Sequence, residues 1–194
     1  PEHVTAVGWL NESGLGAFYL LKVEAIAIGN SKPAPLLTKI VGPSEESKQI
    51  GEVKKYKSER YMIREKFWTQ LLDFARTKTS LHANISPGKW SWLSKGAGKS
   101  GISYNYTVYK NECGIELYID RGKETKEENK AIFDQLASSK ESIENSFGGK
   151  LEWQRLDDRR ASRIQKKFSV GGYAEEEKWD QMNRIMVESM IHLE

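Results

Sequence analysis

Gly98-Lys99-Ser100, inside the stretch "WLSKGAGKSGISYNY" from Trp92 to Tyr106, has the composition of a phosphate-binding loop. Such a loop aims successive backbone N–H groups at phosphate oxygens. Its lysine reaches the outer phosphates and its Ser/Thr holds magnesium. The spacing requires a glycine five residues before Gly98, and that position is Leu93. A helix should follow, but Ile102 to Tyr109 alternates and is rich in aromatic and β-branched residues, a strand pattern. Nucleoside-triphosphate chemistry is rejected on both counts, and the loop needs another role.

Charge and aromatic layout offer one. No acidic residue stands between Phe74 and Asn111, a segment carrying Arg76, Lys78, Lys89, Lys95, Lys99 and Lys110 among Trp90, Trp92, Tyr104, Tyr106 and Tyr109. A second basic cluster holds Arg155, Arg159, Arg160, Arg163, Lys166 and Lys167, opposed by Asp157 and Asp158. Cations of this kind release counterions from phosphate, and exposed rings stack on unpaired bases. Candidate contacts with DNA or RNA are therefore Lys89, Trp90, Trp92, Lys95, Lys99, Tyr104, Arg159, Arg160 and Arg163. The competing reading makes the lysines ordinary solvated loop residues and buries Trp90 and Trp92, which share one face of an extended chain.

Glu116, Tyr118 and Asp120 share a strand face opposite Ile115, Leu117 and Ile119. Two carboxylates ~7 Å apart on alternate positions are candidates to hold a divalent metal. A metal-dependent nuclease would also want an acid, one spacer and a lysine on that strand. Here Tyr118 follows Glu116 by two residues, and Lys123 lies past the strand end. No catalytic residue and no metal ligand is assigned, and no cofactor is expected. Glu116 and Asp120 with magnesium belong to the alternative only. In "LDDRR", Asp157-Asp158 makes a good turn, and Arg159 and Arg160 can pair with Asp120 or Glu116 across the sheet. Cys113, beside Gly114 in a turn, reads as a passive small residue, and Met182, Met186 and Met190 read as core.

The elements that position these groups follow from periodicity. His3–Glu12 has helical spacing, Tyr19–Ile28 reads as a strand, and "KPAPLL" is expected to be irregular because each proline removes a donor. Ser44–Lys57 is a linker or a solvated helix. Arg60–Arg76 is an amphipathic helix, Leu81–Ile85 a short strand, and a loop runs from there to a hairpin of Ile102–Tyr109 with Ile115–Asp120. A long helix over Lys126–Phe147 stops at Gly148-Gly149. Strands at Leu151–Leu156 and Ser162–Val170 and a helix over Glu175–His192 complete the order. Hairpins without a βαβ rhythm mean an α+β fold: a mostly antiparallel sheet of about five strands packed by three helices, after a short N-terminal helix–strand remnant.

Composition bounds the rest. The 194 residues carry 38% hydrophobic and 29% charged residues at net charge +3, with no apolar run long enough to span a bilayer, so no membrane partner is expected. A single cysteine permits no intrachain disulfide and makes a reducing cytoplasm the expectation. The start at Pro1, with no signal-peptide pattern, reads as a fragment cut from a longer protein.

"GISYNYTVYKNECGIELYIDRGKETKEENKAIFDQL", "LEWQRLDDRRASRI" and "EEEKWDQMNRIMVESMIHLE" together resemble the bacterial and archaeal domain of unknown function 4268. The opening "PEHVTAVGWLNE" and "VEAIAIGNSKPAPLLTKIVGPSE" resemble the tail of a PD-(D/E)XK nuclease-like domain. These resemblances imply a remnant over residues 1–47, a linker at 48–55 and an α+β module over 56–194. Together with the basic loop and the arginine cluster, they lead to the expectation of a non-catalytic accessory role in a DNA-processing or defence-associated protein, contacting nucleic acid or another protein beside an upstream nuclease-like domain. The alternatives are a degenerate metal-dependent nuclease of the PD-(D/E)XK type and a structural protein-interaction or dimerisation domain, in the latter case a homodimer.

Overall fold

The computed structural model describes residues 2–13, 16–43 and 45–194, and side chains of these except at 45–54. Pro1 and Ser44 lie outside the described residues, so only the backbone bears on most of the charge pattern read over Ser44–Lys57. The chain divides into two compact units, 1–60 and 61–194.

In the first unit, α1 (Glu2–Glu12) precedes the antiparallel pair β1 (Leu20–Ile26) and β2 (Ala34–Val41). Buried Asn11 fastens them: its Nδ2 donates to Phe18 O and its Oδ1 accepts from Phe18 N, both at 2.9 Å. The expectation of irregular structure over "KPAPLL" is corrected. Pro35 lies within β2 opposite Ala25. A two-stranded sheet has only edge strands, where a missing donor can face outward.

From α2 (Glu45–Arg76) the chain enters the second unit, so residues 48–55 are helical. Phe67, Trp68, Leu71 and Leu72 recur at helical steps and are fully buried. The rings of Phe67 and Trp68, and of Phe67 and Trp179, meet edge to face at 5.1 and 5.3 Å. Five antiparallel strands follow: β3 (Trp92–Gly96), β4 (Ile102–Val108), β5 (Cys113–Ile119), β6 (Glu152–Gln154) and β7 (Ser162–Phe168). They pair in the order β3-β4-β5-β7-β6. Alternation puts Tyr106, Val108, Ile115, Ile119 and Ile164 into the core under the helices. The α+β architecture read from hairpin order is the one observed.

Three local expectations change. Leu81–Ile85 is a pair of turns, closed by Ala83 N to Ser80 O and Ile85 N to His82 O, both 3.1 Å, rather than a strand. Part of the expected loop after it is the edge strand β3. The long helix is two, α3 (Lys126–Ala137) and α4 (Lys140–Phe147), broken at Ser138-Ser139. There the Ser138 hydroxyl bonds back to Gln135 O at 2.7 Å, an alternative to the helical ladder. Gly148 ends α4 in the left-handed conformation, φ 83°, as the paired glycines indicated. A short 3-10 turn (Glu176–Lys178) leads into α5 (Trp179–Leu193), whose Met182, Met186 and Met190 are fully buried. Among the described residues no helix is long and apolar enough to cross a membrane.

Candidate nucleic-acid interface

Strand β3 sits at the sheet edge, and its even positions face away from the helices. Trp92 pairs with Thr107, and Val108 N donates to Ser91 O at 2.8 Å, carrying the extended chain back toward Trp90. Trp90 and Trp92 therefore project together. Their rings stack 5.7 Å apart at an interplanar angle of 19°, with 52% and 49% of the two residues exposed. Buried Trp68 fixes the platform from below, its indole Nε1 donating to Trp90 O at 2.9 Å. Tyr61 on α2 meets the Trp90 ring edge to face at 6.5 Å. Lys89 Nζ lies 5.5 Å from the centroids of both Tyr61 and Trp90. The result is a half-exposed aromatic surface with a cation beside it, backed by a rigid core.

The other residues named from sequence lie elsewhere. Lys95, of odd parity on β3, faces the helix side opposite Tyr104. There its charge, after burial, helps hold buried His82 down at about 4. The His82 ring nitrogens make no hydrogen bond of normal geometry, although the Tyr104 backbone partly favours the charged form. Lys99 and Tyr104 line a groove between the β3–β4 turn and α3.

The arginine cluster lies across the sheet, around the β6–β7 turn. Arg160 grips Asp120 with two bonds, Nε to Oδ1 at 2.7 Å and Nη2 to Oδ2 at 2.6 Å, the cross-sheet pairing read from the sequence. That guanidinium holds the Asp120 carboxyl below its usual range. Arg163 donates to Gln154 Oε1 at 2.7 Å and stands 3.5 Å from Glu116 Oε2. Arg159 is exposed and forms no ion pair among the described residues.

Glu116 is buried and accepts from Asn105 Nδ2 at 2.9 Å. The two candidate metal carboxylates are thus each matched to an arginine. This donor set does not fit a divalent cation, whose site would need those oxygens free. Among the described residues no three His, Cys, Asp or Glu side chains group so as to hold a metal ion.

Sequence reasoning missed two residues of this architecture. Tyr61 stands seven residues, two helical turns, before Trp68, a spacing that could have placed it beside Trp90. Lys130 left no local signal. Its buried ammonium donates to Leu156 O at 2.9 Å, Ala161 O at 2.8 Å and Ser162 Oγ at 3.0 Å, and also to Arg155 O. It gathers the β6–β7 turn, where Leu156 takes φ 56°.

Compared with known proteins, residues 63–194 match the model of a family described as Domain of unknown function (DUF4268). No curated protein and no solved structure matches the chain.

Proposed function

The chain belongs to the domain of unknown function 4268 family, and we propose that it contacts single-stranded nucleic acid through the Trp90–Trp92 platform. In this reading it is a non-catalytic accessory module of a nuclease-like, DNA-processing or defence-associated protein. One observation carries the reading: two stacked, half-exposed tryptophans with a lysine 5.5 Å from the Trp90 ring. A ring pair held open by core contacts offers a base a ready π-face, and stacking on such a face contributes about 1–3 kcal/mol per base. Lys89 supplies the phosphate neighbour. Half-exposed tryptophans lose apolar surface to water, so a bound base relieves that cost.

The other cations contribute less. Arg160 and Arg163 are matched to Asp120 and Glu116, and freeing them for phosphate would strand those carboxylates. Arg159 remains available as a second contact.

The test is fluorescence anisotropy of a labelled oligothymidylate at two salt concentrations, with and without magnesium. Binding that weakens with salt, is indifferent to magnesium and falls about 5- to 150-fold in Trp92→Ala fits the proposal. Unchanged binding in Trp90→Ala/Trp92→Ala removes it. Magnesium-dependent cleavage lost in Glu116→Ala would favour the nuclease alternative instead.

A further inference from the structure

On the helix-covered side of the second unit, a groove of about 650 Å³ opens between the β3–β4 turn and α3. That volume is within the range of ordinary small-molecule sites, about 300–1,000 Å³. Tyr104 on β4 and Leu117 on β5 form its floor, and Ile132 and Leu136, one helical turn apart, form a wall. Aliphatic Ile102, Leu117, Ile132 and Leu136 share the lining with polar groups that include Ser100 and Gln135, a mixed surface that suits an alkyl body carrying a polar head. It also faces away from Trp92, because Tyr104 and Trp92 project to opposite sides of the sheet.

The charge around the groove is uneven. Lys99 and Arg121 both line it, Lys99 from the β3–β4 turn and Arg121 from the chain after β5. Lys99 is exposed and forms no ion pair among the described residues, while Arg121 reaches Glu128 at 3.1 Å. Toward the Tyr104 side the sign reverses. The Tyr104 hydroxyl donates to Glu194 O at 3.3 Å, placing acidic Glu194, just after α5, there.

The two cations are held by anchored backbone. Asp120 N donates to Gly101 O at 2.7 Å, and Ile102 N donates to Lys99 O at 3.2 Å. Gly101 has φ 78° and lies so close to the chain just after β5 that a Cβ there would stand 2.5 Å from Arg121 Cα. Gly101, two residues after Lys99, thus lets the turn pack directly on the backbone of Arg121.

We infer that this groove binds a small organic anion, an alkyl body ending in a carboxylate, with its head between Lys99 and Arg121 and its chain along Leu117, Ile132 and Leu136. The site is separate from the tryptophan platform and stands or falls without it.

The experiment is methyl NMR of the whole chain titrated with octanoate and, separately, with 1-octanol. Saturable shifts of the Leu117, Ile132 and Leu136 methyls are expected with octanoate, with 1-octanol at least tenfold weaker. Lys99→Glu should weaken octanoate at least tenfold, and so should Ser139→Trp, which fills the groove from an exposed rim position. Both variants should keep the dispersed spectrum of the folded chain. Equal affinity for the alcohol, unchanged affinity in Lys99→Glu, or shifts confined to β1 and β2 would overturn the inference. So would a peptide with a free C-terminal carboxylate that saturates the same methyls at lower concentration than octanoate, which would make the occupant a protein chain end.

Discussion

Acid should destabilise this fold through one side chain, His82. The ring is 1% exposed, packed 4.6 Å from the Tyr106 ring, and burial with the nearby Lys95 charge lowers its pKa from 6.5 to about 4. A folded value below the unfolded one means that His82 is neutral in both states above pH 6.5 and costs nothing there. As pH falls through 6.5 toward 4, the unfolded chain takes up a proton that the folded chain refuses, and stability is lost.

The full difference corresponds to roughly 3 kcal/mol, of which about 2 kcal/mol falls between pH 7 and pH 4.5. Carboxylates interfere little in that interval. The most depressed, Glu144, is held at about 2 by Lys150, the Leu151 N–H and the Trp153 indole, so most of its contribution is lost below pH 4.5. Urea unfolding at pH 7, 5.5 and 4.5 measures the loss directly. His82→Phe keeps an aromatic ring against Tyr106 and should flatten the profile over this interval. Equal losses in the wild-type chain and in His82→Phe would refute the reasoning, because the proton would then be taken up elsewhere.

Further outcomes follow from other contacts. Lys130→Met keeps the length of the side chain but leaves Ala161 O without its ammonium donor, so urea unfolding should show a loss of about 1–3 kcal/mol. A loss below about 0.5 kcal/mol would mean that water replaces the ammonium without cost. Gly98 and Gly101 have φ of 77° and 78°, but a Cβ finds open space at Gly98 and the Arg121 backbone at Gly101. Gly98→Ala should therefore cost about 1–2 kcal/mol, and Gly101→Ala clearly more, in the same assay. Equal costs would contradict the close approach of the turn to Arg121.

Much of the fold was legible because its strands alternate. Ile115, Leu117 and Ile119 against Glu116 and Tyr118 announce both faces of β5, and Phe67, Leu71 and Trp68 announce the buried side of α2. Strand β3 was not legible, because "WLSKG" offers one core residue, Leu93, and owes its conformation to pairing with β4. Leu81–Ile85 misled in the opposite sense, since its apolar side chains reach the core from turns. The break between α3 and α4 hid because the apolar period continues across Ser138-Ser139.

The site was half legible. Parity placed Trp90 and Trp92 on one face, and the cross-sheet partner of Arg160 was in view. Sequence did not reveal that the two tryptophans stack half exposed rather than bury. It did not reveal that Lys95 and Lys99 leave their neighbourhood, since both depend on which side of β3 the helices cover.

The central claim, that a nucleic-acid strand stacks on Trp90 and Trp92, is tested most directly by indole N–H NMR during titration with an oligothymidylate. The buried Trp179, 2% exposed, serves as the internal reference. Large saturable shifts of the Trp90 and Trp92 indole signals, with Trp179 nearly still, are the predicted result. Binding seen by anisotropy while those two signals stay unmoved would place the contact elsewhere and contradict the account.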